Sequence, residues 1–135
     1  ANFQLLQKNL TLNEIVADCR RCGVWSSNIT GYFHPSESFN GFISNDLSDY
    51  PIRCEFPEVN ESTWLKIDAE GAEYEVMPVL MGKGNLPPAI SMELHDFSKR
   101  GKSLCALLEK SGYRLKIVTD GSVEPESAIV LAAFN

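Results

Sequence analysis

No apolar run in the 135-residue sequence approaches the ~20 residues that a bilayer-spanning helix needs. No basic cluster is longer than two adjacent residues, at Arg20-Arg21 and Lys99-Arg100, and the net charge is −6. A nucleic-acid surface needs a basic stripe, so that class of partner is not expected. The Cys19-Arg20-Arg21-Cys22-Gly23 segment looks like half of a zinc knuckle. The second close pair that a structural site requires is missing, since Cys54, Cys105, His34 and His95 are scattered singles. No bound metal is therefore expected there. The start carries no apolar leader of the secretory kind, so a cytoplasmic setting is expected. Three Asn-x-Ser/Thr triplets, at Asn9, Asn28 and Asn60, keep a secretory compartment open. Internal repeats and low-complexity tracts are absent too. What remains is ordinary for one folded domain: 44% hydrophobic and 22% charged residues.

The apolar pattern assigns most of the elements. Phe3, Leu5, Leu6, Leu10 and Leu12 recur near helical spacing and predict a helix over 3–12. Ile15-Val16-Ala17 is a short strand candidate, and Gly23-Val24-Trp25 continues it or starts another. Residues 28–62 are rich in Gly, Pro, Ser, Asn and Asp, with short strands expected at Ile29–His34, Gly41–Ser44 and Ile52–Phe56. The signal then sharpens. Trp64–Asp68 reads as a buried parallel strand. Glu70 opens a helix that runs to about Met81, with acids in its first turn, and Gly82-Lys83-Gly84 ends it. Ala89–Leu94 is a strand, Ser98–Ser111 a helix, and Tyr113–Val118 and Ala128–Phe134 two more strands around an Asp120-Gly121 turn. Alternation of helix and strand implies an α/β domain with a mostly parallel sheet. The final two strands are too close for a helix between them, so they should pair antiparallel at one edge. Both tryptophans, Trp25 and Trp64, are expected in the core.

Ligands of open α/β sheets bind outside the carboxyl ends of the strands. Two strand ends here are loaded with polar groups: Lys66-Ile67-Asp68-Ala69-Glu70-Gly71-Ala72-Glu73 and Met92-Glu93-Leu94-His95-Asp96. Alternate residues of a strand share a face, so Lys66 goes with Asp68, and Glu93 with His95. If the two strands are neighbours, Asp68, Glu70, Glu93 and His95 converge on one rim. An imidazole can accept a proton near neutrality, and a neighbouring carboxylate fixes its tautomer. Such a set suits proton removal from a hydroxyl or amine. The plainer alternative is that Asp68 and Glu70 cap the following helix and His95 is an ordinary loop residue.

The block Trp64-Leu65-Lys66-Ile67-Asp68-Ala69-Glu70-Gly71-Ala72-Glu73, followed by the strand ending Glu93-Leu94-His95, resembles the FkbM family of methyltransferases. Its match is to a Lys-Ile-Asp-x-Glu-Gly-x-Glu turn and a Glu-x-His strand end. The flanks, Asn2 to Asn13 and Leu107 to Tyr113, are similar to the family's earlier and closing elements but less specific. The resemblance implies a class I, Rossmann-like methyltransferase sheet with an antiparallel final strand. It also implies S-adenosylmethionine as cofactor and methyl transfer to an oxygen of a sugar or other small-molecule acceptor. On that reading His95 is expected as the general base, Glu93 as its orienting partner, and Asp68 and Glu70 as acceptor-binding or cofactor-adjacent carboxylates. Asp68, Gly23 and Val24 become cofactor-binding positions. A divalent metal at Asp68 and Glu70 is the runner-up.

The family's glycine-rich cofactor loop and ribose-binding acid should precede residue 2, so residues 1–135 read as a single domain lacking those N-terminal strands. Gly82-Lys83-Gly84 follows a helix and cannot stand in for the loop. Weak cofactor binding by this chain alone is expected. Exposed sheet beside Trp64–Asp68 would favour a homodimer. The rival reading is a non-catalytic interaction domain that has lost cofactor binding.

Overall fold

The computed structural model describes residues 2–36, 41–84 and 86–134. The first helix, α1 (Asn2–Leu12), forms where its apolar period predicts, yet buries none of its side chains. It ends as the Asn13 side chain bonds the Asn9 carbonyl and Glu14 turns to a left-handed φ of 56°. The strand expected at Ile15-Val16-Ala17 does not form, and Ile15 and Val16 are exposed. A short strand gets its hydrogen bonds from neighbours, and among the described residues none pairs with this segment.

The chain then builds two four-stranded sheets rather than one. The first contains β1 (Gly23–Val24), β2 (Ile29–His34), β3 (Phe42–Ser44) and β4 (Pro51–Glu55), in the order β1-β4-β2-β3. Its β1–β4 pair is parallel and the others antiparallel. A small apolar cluster of Trp25, Cys54 and Ala72, with Ile29, Ile43, Ile52 and Ala69 against it, fills one side. Ala69 and Ala72 belong to the turn after the next strand. The small sheet therefore backs that turn.

The second sheet contains β5 (Trp64–Ile67), β6 (Ala89–His95), β7 (Arg114–Val118) and β8 (Ser127–Ala133), ordered β5-β6-β8-β7. Helix α2 (Glu73–Lys83) joins β5 to β6, which pair in parallel. A π-helical turn (Phe97–Gly101) and α3 (Lys102–Lys110) follow β6. The last strand, β8, is antiparallel to both β6 and β7 and lies between them. Three strands thus run one way and β8 the other. The expected antiparallel pair does close one edge, with β7 outermost. The architecture is mixed α/β.

Alternation explains the packing. Ile90, Met92 and Leu94 of β6 and Ala128, Val130 and Ala132 of β8 are buried on one face. Val76, Met77 and Leu80 of α2 and Leu104 and Leu108 of α3 cover them. The opposite face carries Trp64, Lys66, Ser91 and Leu131 around an apolar hollow of about 510 Å³. Trp25 is buried as expected, but Trp64 is 83% exposed. Trp64 sits on the edge strand, on the face that no helix of the described residues covers.

Candidate functional site

The parallel β5–β6 register sets Ile67 beside Met92, so the two polar strand ends leave the sheet side by side. The chain then turns sharply at each end. Glu70 has φ 49° and Gly71 φ 101° after β5, and Asp96 has φ 50° after β6. A left-handed non-glycine residue costs of order 1 kcal/mol, and two of them flank the same rim. The helix consequently starts at Glu73 and not at Glu70. Its N-cap is Ala72, with no side-chain cap bond, so Asp68 and Glu70 do not cap it. Glu73 instead ties down the turn ahead of the helix. Its carboxylate accepts the N–H of Ala69 at 2.6 Å and of Gly71 at 2.8 Å.

These turns bring the expected residues together. His95 Nε2 lies 3.3 Å from Glu70 Oε2 and 4.0 Å from Glu93 Oε1. Single atoms of Asp68, Glu70 and His95 all lie within 4.8 Å of one another. Lys66 Nζ is 3.8 Å from an Asp68 oxygen, so one cation of the chain already faces this acid. Asp68 and Glu70 are solvent-accessible and His95 is about three-quarters covered. The three side chains have the donor types to hold a divalent cation, and they can equally take and pass a proton.

The sequence reading missed Glu73 as a site residue. It is fully buried, and its Oε1 lies 3.7 Å from His95 Nδ1. The signal was present: Glu73 closes the Lys-Ile-Asp-x-Glu-Gly-x-Glu block, but it read only as a first-turn acid. Tyr74 was missed as well. Its hydroxyl donates to the His95 carbonyl at 2.6 Å, and burial pushes its phenol up to about 12. The thiols are poor candidates for chemistry. Burial pushes Cys22 and Cys105 up, which keeps them protonated near neutrality.

Beside His95 opens a polar hollow of about 620 Å³, lined by Glu93, Asp96, Ser98, Lys99, Glu124 and Glu126 among others. Gly23 and Val24 line a different hollow, of about 360 Å³, with Asp18, Arg20, Cys22 and Glu55. A Cβ on Gly23 would meet Ile43 Cδ1 at 2.5 Å and Cys54 Sγ at 3.1 Å. The missing side chain there makes room for neighbouring side chains, not for a ligand. Gly71 has open space around its Cα, but its N–H already serves Glu73. Neither glycine therefore offers an open backbone cradle of the kind a nucleoside cofactor needs. The described residues do bring an imidazole and several carboxylates together on one rim next to a polar hollow.

A family model, the methyltransferase FkbM domain, matches residues 17–115. The chain belongs to the FkbM methyltransferase family. The matched segment runs from before β1 to the first two residues of β7 and contains every residue of the rim, so the FkbM block and the observed convergence fall on the same side chains. Neither a curated protein nor a solved structure matches this FkbM domain.

Proposed function

We propose that this FkbM domain carries the acceptor side of an S-adenosylmethionine-dependent O-methyltransferase. The observation that carries the reading is the His95 ring, held among Glu70, Glu73 and Glu93 at the mouth of a polar hollow. The strand order β5-β6-β8-β7, with an antiparallel strand inserted next to the outermost one, supports a class I, Rossmann-like sheet. S-adenosylmethionine, when bound, supplies an activated methyl group. The residues described here do not fit its nucleoside, so the work assigned to them concerns the acceptor alone. An acceptor hydroxyl enters the hollow beside Glu93 and His95. Asp68 and Glu70 accept its other hydroxyls, and Nε2 of His95 takes the proton of the reacting oxygen. The hollow is rich in carboxylates, and Lys99 is the one lysine or arginine among its described lining residues, which disfavours anionic acceptors such as phosphate esters. A neutral polyhydroxylated molecule, a sugar among them, suits the lining.

The test is single-turnover methylation in the full-length protein from pH 5 to 9. His95→Ala should lower the rate by roughly 10²–10⁴, the range for a positioned acid–base group. His95→Asn should fail almost as badly, because an amide cannot take the proton at neutral pH. If His95→Asn keeps near-normal rates and the acid limb, the imidazole is not the base and Asp68 or Glu70 takes its place. The closed surroundings of Gly23 favour one rival, an interaction domain without cofactor binding. Calorimetry separates the two: no S-adenosylmethionine binding at any length of the protein sinks the enzyme reading. The uncovered sheet face around Trp64 also favours a homodimer, and a monomer by light scattering at high concentration would remove that partner.

A further inference from the structure

We propose that Glu73 is a positioning residue, which holds His95 in the tautomer with hydrogen on Nδ1 and leaves Nε2 free to accept a proton. The Glu73 side chain has no exposed surface. A buried carboxylate needs compensation, and the two N–H groups of Ala69 and Gly71 supply it. Those bonds also fix where the carboxylate points. Its Oε1, which receives the Ala69 N–H, stands 3.7 Å from His95 Nδ1. That nitrogen is itself buried and has no hydrogen-bond partner.

The two ring nitrogens therefore face different surroundings. Nδ1 faces a buried acceptor. With hydrogen on Nδ1, a donor points at the carboxylate. With hydrogen on Nε2 alone, a lone pair would be buried against a negative charge, which low-dielectric surroundings penalise heavily. Nε2 instead faces the accessible rim, where Glu70 from the turn lies at 3.3 Å, Glu93 from β6 at 4.0 Å and Asp68 nearby. Its lone pair meets carboxylates there too, but these are partly exposed and water screens them, whereas Glu73 is fully buried. A proton arriving at Nε2 from an acceptor would be stabilised by those carboxylates. The next residue of α2 completes the hold, since Tyr74 donates to the His95 carbonyl. One helical turn thus holds the backbone of His95 and sets a buried carboxylate beside its ring. The 3.7 Å gap is a loose contact of a kind that tightens when a substrate is bound.

A carboxylate that served only to close the turn would leave the tautomer of His95 indifferent to its charge. The chain has two histidines, His34 and His95, which makes the measurement direct. His34 Nε2 contacts Ser44 Oγ and the Asp46 carbonyl and serves as the internal control. Two-bond ¹H–¹⁵N imidazole spectra of the 135-residue chain are recorded as pH is raised until both rings are neutral. The native His95 should show the Nδ1–H pattern. Glu73→Gln should shift it towards Nε2–H while His34 stays unchanged. Nε2–H as the main native tautomer overturns the proposal, even if the variant fails to fold. So does a folded Glu73→Gln variant with an unaltered His95 pattern. A kinetic arm rests on the methyl-transfer reading: kcat should fall at least tenfold in Glu73→Gln, with KM within about twofold. A native chain that shows the Nδ1–H pattern in a protein without methyl transfer would count against that reading and leave the positioning role standing.

Discussion

The two sheets are held in different ways. The second is pressed between its own strands and two helices, and its core includes Met77, Leu80, Met92, Leu94, Leu108 and Val130, all essentially inaccessible to solvent. The first has three buried apolar residues, and one of them, Ala72, is borrowed from the turn after β5. The site sits where the two meet. Its imidazole and carboxylates rise from the second sheet, while Trp25 and Cys54 of the first back the turn that carries Asp68 to Glu73. The large core sets where the site is. The small one sets how tightly one of its turns is held.

The largest expected effect tests that division. Leu108→Ala, at the centre of the larger core, should lower stability by about 2–5 kcal/mol in chemical denaturation. Ile43→Ala in the first sheet should cost about 1 kcal/mol, since that side chain is only half-buried. Equal losses at the two positions would mean that the sheets share one cooperative core.

A second test uses alkaline pH. Tyr113 is buried in the second sheet's core, donates to the Pro87 carbonyl at 2.6 Å, and is pushed up to about 12 by burial. Its neutral form is favoured in the folded state. That preference is fully present below the ordinary phenol value near 10 and is lost as pH climbs towards 12. The chain should lose roughly 2–3 kcal/mol from this group across that window. Tyr113→Phe should remove this group's share of the alkaline loss and leave that of Tyr74, at a cost of about 1 kcal/mol from the missing hydrogen bond. An alkaline limb unchanged in Tyr113→Phe would remove this phenol as the cause. The smallest effect concerns the rim. If Asp68, Glu70 and His95 handle protons and not a cation, chelation with EDTA should change the methylation rate less than about twofold. A large loss restored by Mn²⁺ would convert them to ligands.

Much of the second sheet was legible in advance. β5, α2, β6, α3, β7 and β8 all lie within a few residues of their expected spans, because most carry an apolar run or period, and Gly or Pro stands near an end of each except β5. Asp68, Glu70, Glu93 and His95 were also legible as a set, because period-two alternation places them at neighbouring strand ends. The failures share one cause. Ile15-Val16-Ala17 has strand composition but no neighbour, and Trp64 has core composition on a face left open. Burial and pairing depend on what lies alongside, and local pattern does not encode that.

The sequence by itself determined the element order of the second sheet, the polar strand ends and the FkbM block. Local hydrophobic period and turn chemistry act over a few residues and can be read there. Only the tertiary structure decided that the chain makes two sheets, that β8 inserts between β6 and β7, and that Glu73 reaches His95. Each of those depends on residues distant in sequence meeting through packing. The left-handed turns at Glu70 and Asp96 aim the side chains once they meet. Glu73, an ordinary helix-start acid in the sequence, comes within 3.7 Å of the ring because the helix begins at this residue and its carboxylate closes the preceding turn beside His95.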